Sequence, residues 1–186
     1  MSEDYGTVGQ NIVKAWLKKE RGCTVISMCD IVSKELWRGP RMESDAGFEP
    51  VLPDFLVVQP EKLETKWMEI KRKGRFSWHV NGRCWVTGID QHYLEHYCAA
   101  AAATKIPVWL FFLHLESQPS ADDLSNGSPA VCPTGLFAQE LLRLHERTHH
   151  TSVKWGKGGM AYWAPEAFQL LATAADLEPY VKAAAA

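Results

Sequence analysis

Residues 53–73 read PDFLVVQPEKLETKWMEIKRK, two strand-like runs joined by a short turn. The second run, from Lys66 to Lys71, alternates in character, and a strand sends successive side chains to opposite faces. Met68 and Ile70 share one face, which the alternation assigns to the core; Trp67, Glu69 and Lys71 share the other. On a surface strand, a glutamate and a lysine two residues apart form a weak, solvated ion pair. Asp54, which opens the first run behind Pro53, changes that reading. If the runs pair as a hairpin, Asp54 at the start of one strand approaches Glu69 near the end of the other. Two close carboxylates repel unless a positive charge lies between them, and a hard divalent cation with oxygen ligands meets that need. The Ile70 carbonyl is a third candidate ligand. Lys71, on the face of Glu69, reaches toward a water and the phosphate it attacks, where charge stabilisation lowers the barrier.

Patterns on either side place these runs in a larger fold. Ile12, Val13, Trp16 and Leu17 fall at helical spacing within Gly9–Lys19, and Arg21-Gly22 ends that helix. Cys23 to Met28 reads as a strand, and residues 33–50, rich in Gly, Pro and charge, read as a loop. Residues 76–86 carry Asn81-Gly82 between apolar flanks, a hairpin signal. Asp90 is placed to cap a helix running through the alanines to Ala103, and Pro107 to His114 reads as a buried strand. Residues 116–133 read as a loop, and Leu136 to Arg147 shows helical periodicity. Gly159 to Trp163 reads as a short strand, with a helix starting at Pro165. The expected architecture is α/β (α+β), a mixed central sheet flanked by helices in the order αβββαβ, with a C-terminal helix-strand-helix extension. One domain over 1–182 is expected, with its core at 6–114, the extension at 134–182 and a disordered tail at 183–186.

Composition narrows the class further. A chain of 186 residues can bury a real core. A net charge of −2 argues against coating nucleic acid by bulk charge but leaves room for a local basic patch. Such a patch follows the second run, where Lys71, Arg72, Lys73, Arg75 and Arg83 lie among Phe76, Trp78, His79 and Trp85. Lys and Arg contact phosphates while aromatic rings wedge or stack on bases; Lys34, Arg38 and Arg41 would extend the surface. The five cysteines are odd in number and form no CxxC pair, which favours reduced, mostly buried thiols. The start, MSEDYG, has no apolar signal segment, and the run 108–113 is far shorter than the roughly 20 residues that span a bilayer. A cytoplasmic protein without membrane contact is the expectation.

Asp54, Glu69 and Lys71, in a helix-strand-strand-strand-helix-strand order, resemble the PD-(D/E)xK nuclease superfamily, which includes restriction enzymes, archaeal Holliday junction resolvases and RecB-like exonucleases. The resemblance covers residues 6–114. It rests on Pro53-Asp54 before an apolar strand, on Glu69-Ile70-Lys71 inside the next, on a first helix entered through Gly6-Thr-Val-Gly9, and on a later helix opening with Gln91. It implies a restriction-endonuclease-like core and metal-dependent hydrolysis of phosphodiester bonds in duplex or branched DNA. Asp54, Glu69 and the Ile70 carbonyl would hold Mg2+, with Mn2+ able to substitute. Lys71 would activate water, and Gln91 would contact metal-bound water or phosphate. Gln10, Arg72, Lys73, Arg75, His79 and Arg83 would line the substrate surface, and symmetric cutting would call for a homodimer. There are departures. Gln10 stands where resolvase-like members carry a glutamate, and Glu43, Asp45 or Glu49, in the loop before Asp54, could supply a missing acid. Glu95 stands where RecB-like members carry a tyrosine, although Tyr93 and Tyr97 flank it.

Two alternatives compete. One is a nuclease-like fold that binds nucleic acid without cutting. The other is a zinc peptidase, because His145-Glu146-Arg147-Thr148-His149 spells HExxH, which on a helix sets two histidines on one face. Against the peptidase, the motif falls at a helix end, Arg147 is out of place in a buried helix, and only Glu166 or Asp176 could serve as a third ligand. His114, at the end of its strand, reads as structural.

Overall fold

The computed structural model describes residues 5–28, 41–42, 49–156 and 158–184. Lys34, Arg38, Glu43 and Asp45 lie outside the described residues, as does most of the segment read as the 33–50 loop. Helix α1, Tyr5–Arg21, buries Ile12, Val13, Trp16 and Leu17 along one stripe, and carries Lys18, Lys19 and Arg21 in its last turn, where the helix dipole favours cations. Gly22, at φ +59°, ends it in the left-handed conformation that glycine adopts without strain.

Strands β1 (Thr24–Ser27), β2 (Phe55–Gln59) and β3 (Glu64–Lys73) then form an antiparallel meander, with a short 3-10 turn, Pro60–Lys62, between the last two. A hairpin follows, made of β4 (Ser77–His79) and β5 (Cys84–Asp90). Its positive φ falls on Arg83 rather than on Gly82. Helix α2, Gln91–Thr104, leads into β6, Val108–His114, which pairs parallel with β3. A parallel neighbour needs a crossover, and the hairpin with α2 supplies it.

The C-terminal third departs from the expected helix-strand-helix. A one-turn helix α3 (Ala121–Ser125), closed by a Ser120–Asp123 capping box, interrupts the 116–133 segment. Leu136 and Phe137 belong to a strand, β7 (Gly135–Glu140), and only Leu141–Glu146 is helical, as α4. Strands β8 (His150–Ser152) and β9 (Met160–Trp163) follow. Pro165 opens a single 3-10 turn, after which come β10 (Gln169–Ala172) and α5 (Ala174–Ala184). Ala183 and Ala184 therefore continue a helix rather than a tail.

The physical reason is edge pairing. β6 would expose a row of backbone groups without β7, which takes Trp109 to His114 as partners, and β7 is in turn covered by β10.

The result is a mixed α/β fold around a six-stranded sheet in the order β1-β2-β3-β6-β7-β10, beside a four-stranded sheet in the order β4-β5-β9-β8. One face of the large sheet packs Phe55, Val57, Met68, Ile70, Phe111 and Leu113 against α1 and α5. The other packs Trp67, Leu110, Phe112 and Phe137 against α2, α4 and the second sheet. With both faces covered, Glu69 in β3 is only 3% exposed. No helix among the described residues is long and apolar enough to cross a membrane.

Candidate active site

The β2–β3 ladder ends at the pair Phe55–Met68, so Asp54, one residue earlier, stands opposite Glu69 on the α2 face. The two acids hold each other through the backbone. The Asp54 N–H donates to Glu69 Oε2 at 3.1 Å, and the Ile70 N–H donates to Asp54 Oδ2 at 3.1 Å. The Asp54 carbonyl accepts from Met28 N–H at 3.0 Å, which ties the turn to the end of β1. Lys71 Nζ lies 2.5 Å from Glu69 Oε1 and 5.0 Å above the Tyr93 ring. The Gln10 side chain reaches from α1 to hydrogen-bond Asp54, and the Tyr97 hydroxyl reaches from α2 to hydrogen-bond Glu69.

Burial leads the electrostatics, and the closeness of the two carboxylates adds to it. Burial, reinforced by Glu69, pushes the Asp54 carboxyl up to about 7, against the opposing pull of Lys71, the Ile70 N–H and Gln10. Burial works against the charge of Lys71 as well, but Glu69, helped by Asp54 and Tyr93, more than offsets it and leaves the lysine above its ordinary value. Tyr97 is held well above the usual phenol range by burial and by its bond to Glu69, so it donates a proton and stays neutral. Lys73, next on the same face of β3, is lowered by burial and by Lys71, while Asp90 pulls the other way.

This arrangement fits a hard divalent cation. Asp54 and Glu69 carry more acceptor capacity than their backbone bonds use, and a positive charge between them would relieve their mutual repulsion. In a strand, the N–H and C=O of one residue point to the same side. Because the Ile70 N–H faces Asp54, its carbonyl faces that side too. An all-oxygen set of this kind suits Mg2+ or Mn2+.

Other residues singled out in the sequence are more scattered. Gln91 opens α2, and its side chain lies against Gly159; its N–H bonds the Gly159 carbonyl at 2.9 Å. Arg72 points to the opposite face of β3, under α1, where a Cβ on Gly9 would fall 2.5 Å from Arg72 Cβ. Arg75 is engaged with the Gln118 carbonyl at 2.8 Å and with Glu116 at 3.7 Å. Arg83 sits exposed at the hairpin tip, and His79 belongs to a histidine cluster. Phe76 and Trp85 are buried in the core, so they cannot stack on bases. The basic run is thus dispersed over two faces by the strand's pleat rather than gathered into one surface.

Glu49 is exposed, with its carbonyl accepting from Arg41. HExxH does not form a helical ligand pair: α4 stops at Glu146, His145 is exposed on it, and His149 lies beyond in the approach to β8. His114 is fully buried, stacked on Phe76 at 3.9 Å and lowered to about 3 by burial. The residues whose place at the site sequence reasoning left open are Tyr97 and Tyr93; Asp90, expected to cap α2, stands at its N-cap without a side-chain cap hydrogen bond. The first two sit four apart on α2, the spacing that puts both on one helix face. That face meets β3.

No family model matches the chain, and no curated protein sequence matches it. Among solved structures it is similar to Hjc, a Holliday junction resolvase from the archaeal hyperthermophile Archaeoglobus fulgidus. The identity is 8%, 88% of this chain and 91% of that chain are covered, and the TM-score is 0.47. It is also similar to a nuclease from a fusselovirus, at 13% identity over 97% of this chain and 87% of that one, with a TM-score of 0.37.

Proposed function

We propose that this chain is a divalent-cation-dependent phosphodiesterase of the PD-(D/E)xK type, acting on DNA as an endonuclease. The observation that carries the reading is the pair of interlocked carboxylates, Asp54 and Glu69, with Lys71 Nζ 2.5 Å from Glu69. Asp54, Glu69 and the Ile70 carbonyl would hold the cation, which when bound supplies charge to a phosphoryl oxygen and acidifies water. Lys71 keeps its proton at neutral pH, so it donates rather than accepts. It orients the attacking water or neutralises a non-bridging phosphate oxygen, and a general-base role does not suit its raised value. Tyr97 steadies Glu69 by donating to it, and Gln10 does the same for Asp54 from the position where related folds use an acid. Lys73 and the exposed Arg83 are the residues of the basic run best placed to meet phosphates. The resemblance in sequence is what points to DNA, and to a homodimer for symmetric cuts.

The test incubates supercoiled, linear, single-stranded and branched DNA with the protein in Mg2+ or Mn2+, beside Lys71→Ala. Cleavage by the wild type that disappears in the variant supports the reading. Cleavage that survives in the variant overturns the mechanism. Binding without cleavage by either protein would leave a nucleic-acid-binding module on the same fold.

A further inference from the structure

Far along the chain from Asp54, three histidines meet at the second sheet. His79 ends β4, and His149 and His150 lead into β8. One ligand nitrogen from each lies within 4.8 Å of the others. The strands β4 and β8 stand at opposite ends of the strand order, and β4 and β9 pair with different halves of β5, yet the His79 and His150 rings stack with centroids 4.0 Å apart. Two details distinguish this cluster from an accidental crowd. His79 Nδ1 is buried with no hydrogen-bond partner, a costly state for an imidazole nitrogen unless something binds it. His149 Nδ1 faces His150 Nδ1 at 2.9 Å, while His149 Nε2 lies 3.4 Å from Cys84 Sγ.

We propose that His79, His149 and His150 form a site for a transition-metal ion, zinc first among them, that joins the hairpin β4–β5 to the β8–β9 pair. Zinc binds imidazole nitrogen at about 2.0–2.1 Å, which sets two tetrahedral ligands roughly 3.3 Å apart. The His149–His150 contact is already close to that spacing. When His149 Nε2–H donates to Cys84, its Nδ1 lone pair is free for the metal, and the metal takes the place of the proton that must otherwise lie between the two facing nitrogens. Gly82 makes room: a Cβ there would fall 2.7 Å from His79 Nδ1 and 2.8 Å from His149 Cε1. His149 is exposed and the other two half-buried, which leaves access for the ion and a fourth position for water. Nitrogen donors select zinc, cobalt, nickel or copper over magnesium, so the site is chemically distinct from the oxygen donors of Asp54 and Glu69 and does not depend on the function proposed for them.

The test titrates Co2+ into the full chain and follows the visible absorption of tetrahedral cobalt. The expected result is saturation near one equivalent, with displacement by Zn2+ and a Zn2+-dependent rise in Tm. His79→Ala and His150→Ala should each abolish the absorption and the Tm shift, whereas His145→Gln and the double variant Asp54→Asn, Glu69→Gln should retain both. Circular dichroism of the metal-free variants separates loss of ligands from loss of fold. Absence of the absorption in the wild type overturns the proposal, even if neither histidine variant folds. So does its persistence in either histidine variant, or its loss with Asp54 and Glu69.

Discussion

Asp54 and Glu69 are fastened to each other through their main chains: the Asp54 amide donates to the Glu69 carboxylate, and the amide beside Glu69, that of Ile70, donates to the Asp54 carboxylate, each at 3.1 Å. This clasp holds the two acids side by side, although each repels the other. Burial, with that repulsion added, raises the carboxyl of Asp54.

Lys71→Ala should lower single-turnover DNA cleavage by about 100–1,000-fold, the range seen when one donor to a developing charge is removed. DNA affinity at low salt should change far less, because phosphate contacts elsewhere would persist. Lys71→Arg should not restore the rate, since a planar guanidinium cannot take the ammonium's position between Glu69 and the Tyr93 ring. Cleavage within tenfold of wild type in Lys71→Ala would remove this lysine from the chemistry.

Asp54→Asn should stabilise the metal-free protein in a pH-dependent way. The Asp54 carboxyl rises from 3.8 to about 7 on folding, so the folded state holds its proton more tightly. The stability this contributes is fully present below the unfolded value and is lost as pH climbs through about 7. The variant should therefore match the wild type near pH 4 and gain on it up to pH 7. Above that the difference should hold steady, on the order of 2 kcal/mol after allowing for residual solvent contact. Urea melts across that range measure it, and a pH-independent difference would contradict the sign.

Tyr97→Phe keeps the buried ring but removes the hydroxyl that donates to Glu69. Outer partners of ligating carboxylates typically contribute 10–100-fold to metal affinity. Mn2+ binding should weaken by about tenfold, with stability lowered by only about 1 kcal/mol. Unchanged Mn2+ affinity would show that the hydroxyl does not position Glu69.

Gly88→Ala tests the join between the two halves of the second sheet. A Cβ at this position in β5 would fall 2.2 Å from the Ala161 carbonyl oxygen in β9, a backbone atom with little freedom to retreat. Overpacking of this kind costs about 1–3 kcal/mol, read as a lower denaturation midpoint. A Tm equal to wild type would mean that the strands can part without penalty.

Much of the fold is legible from local pattern. The Trp67–Lys71 alternation assigns each side chain of β3 to its face, and α1, β2, α2 and β6 follow from periodicity and their boundary residues. The stretch from Leu136 to Arg147 is different. Its apolar residues suit a helix or a strand equally, and the choice fell to β6, whose open edge recruits Gly135–Glu140. Helix α4 is what remains.

The candidate site divides along the same line. Asp54, Glu69 and Lys71 could be brought together from the chain alone, because the hairpin between them is short and the pleat has a fixed period of two. The same period predicts that Arg72 leaves that face, although a run of basic residues invites reading as one patch. Tyr97, the direction of Gln91 and the meeting of His79 with His149 and His150 belong to tertiary structure. Each depends on how a helix or a sheet is seated, which is set by packing over the whole core and not by neighbours in sequence. The carboxylates and their lysine were therefore determined by the sequence, through a local register. The groups that steady them, and the histidines gathered on the second sheet, were decided by long-range packing between elements that carry no local signal for one another.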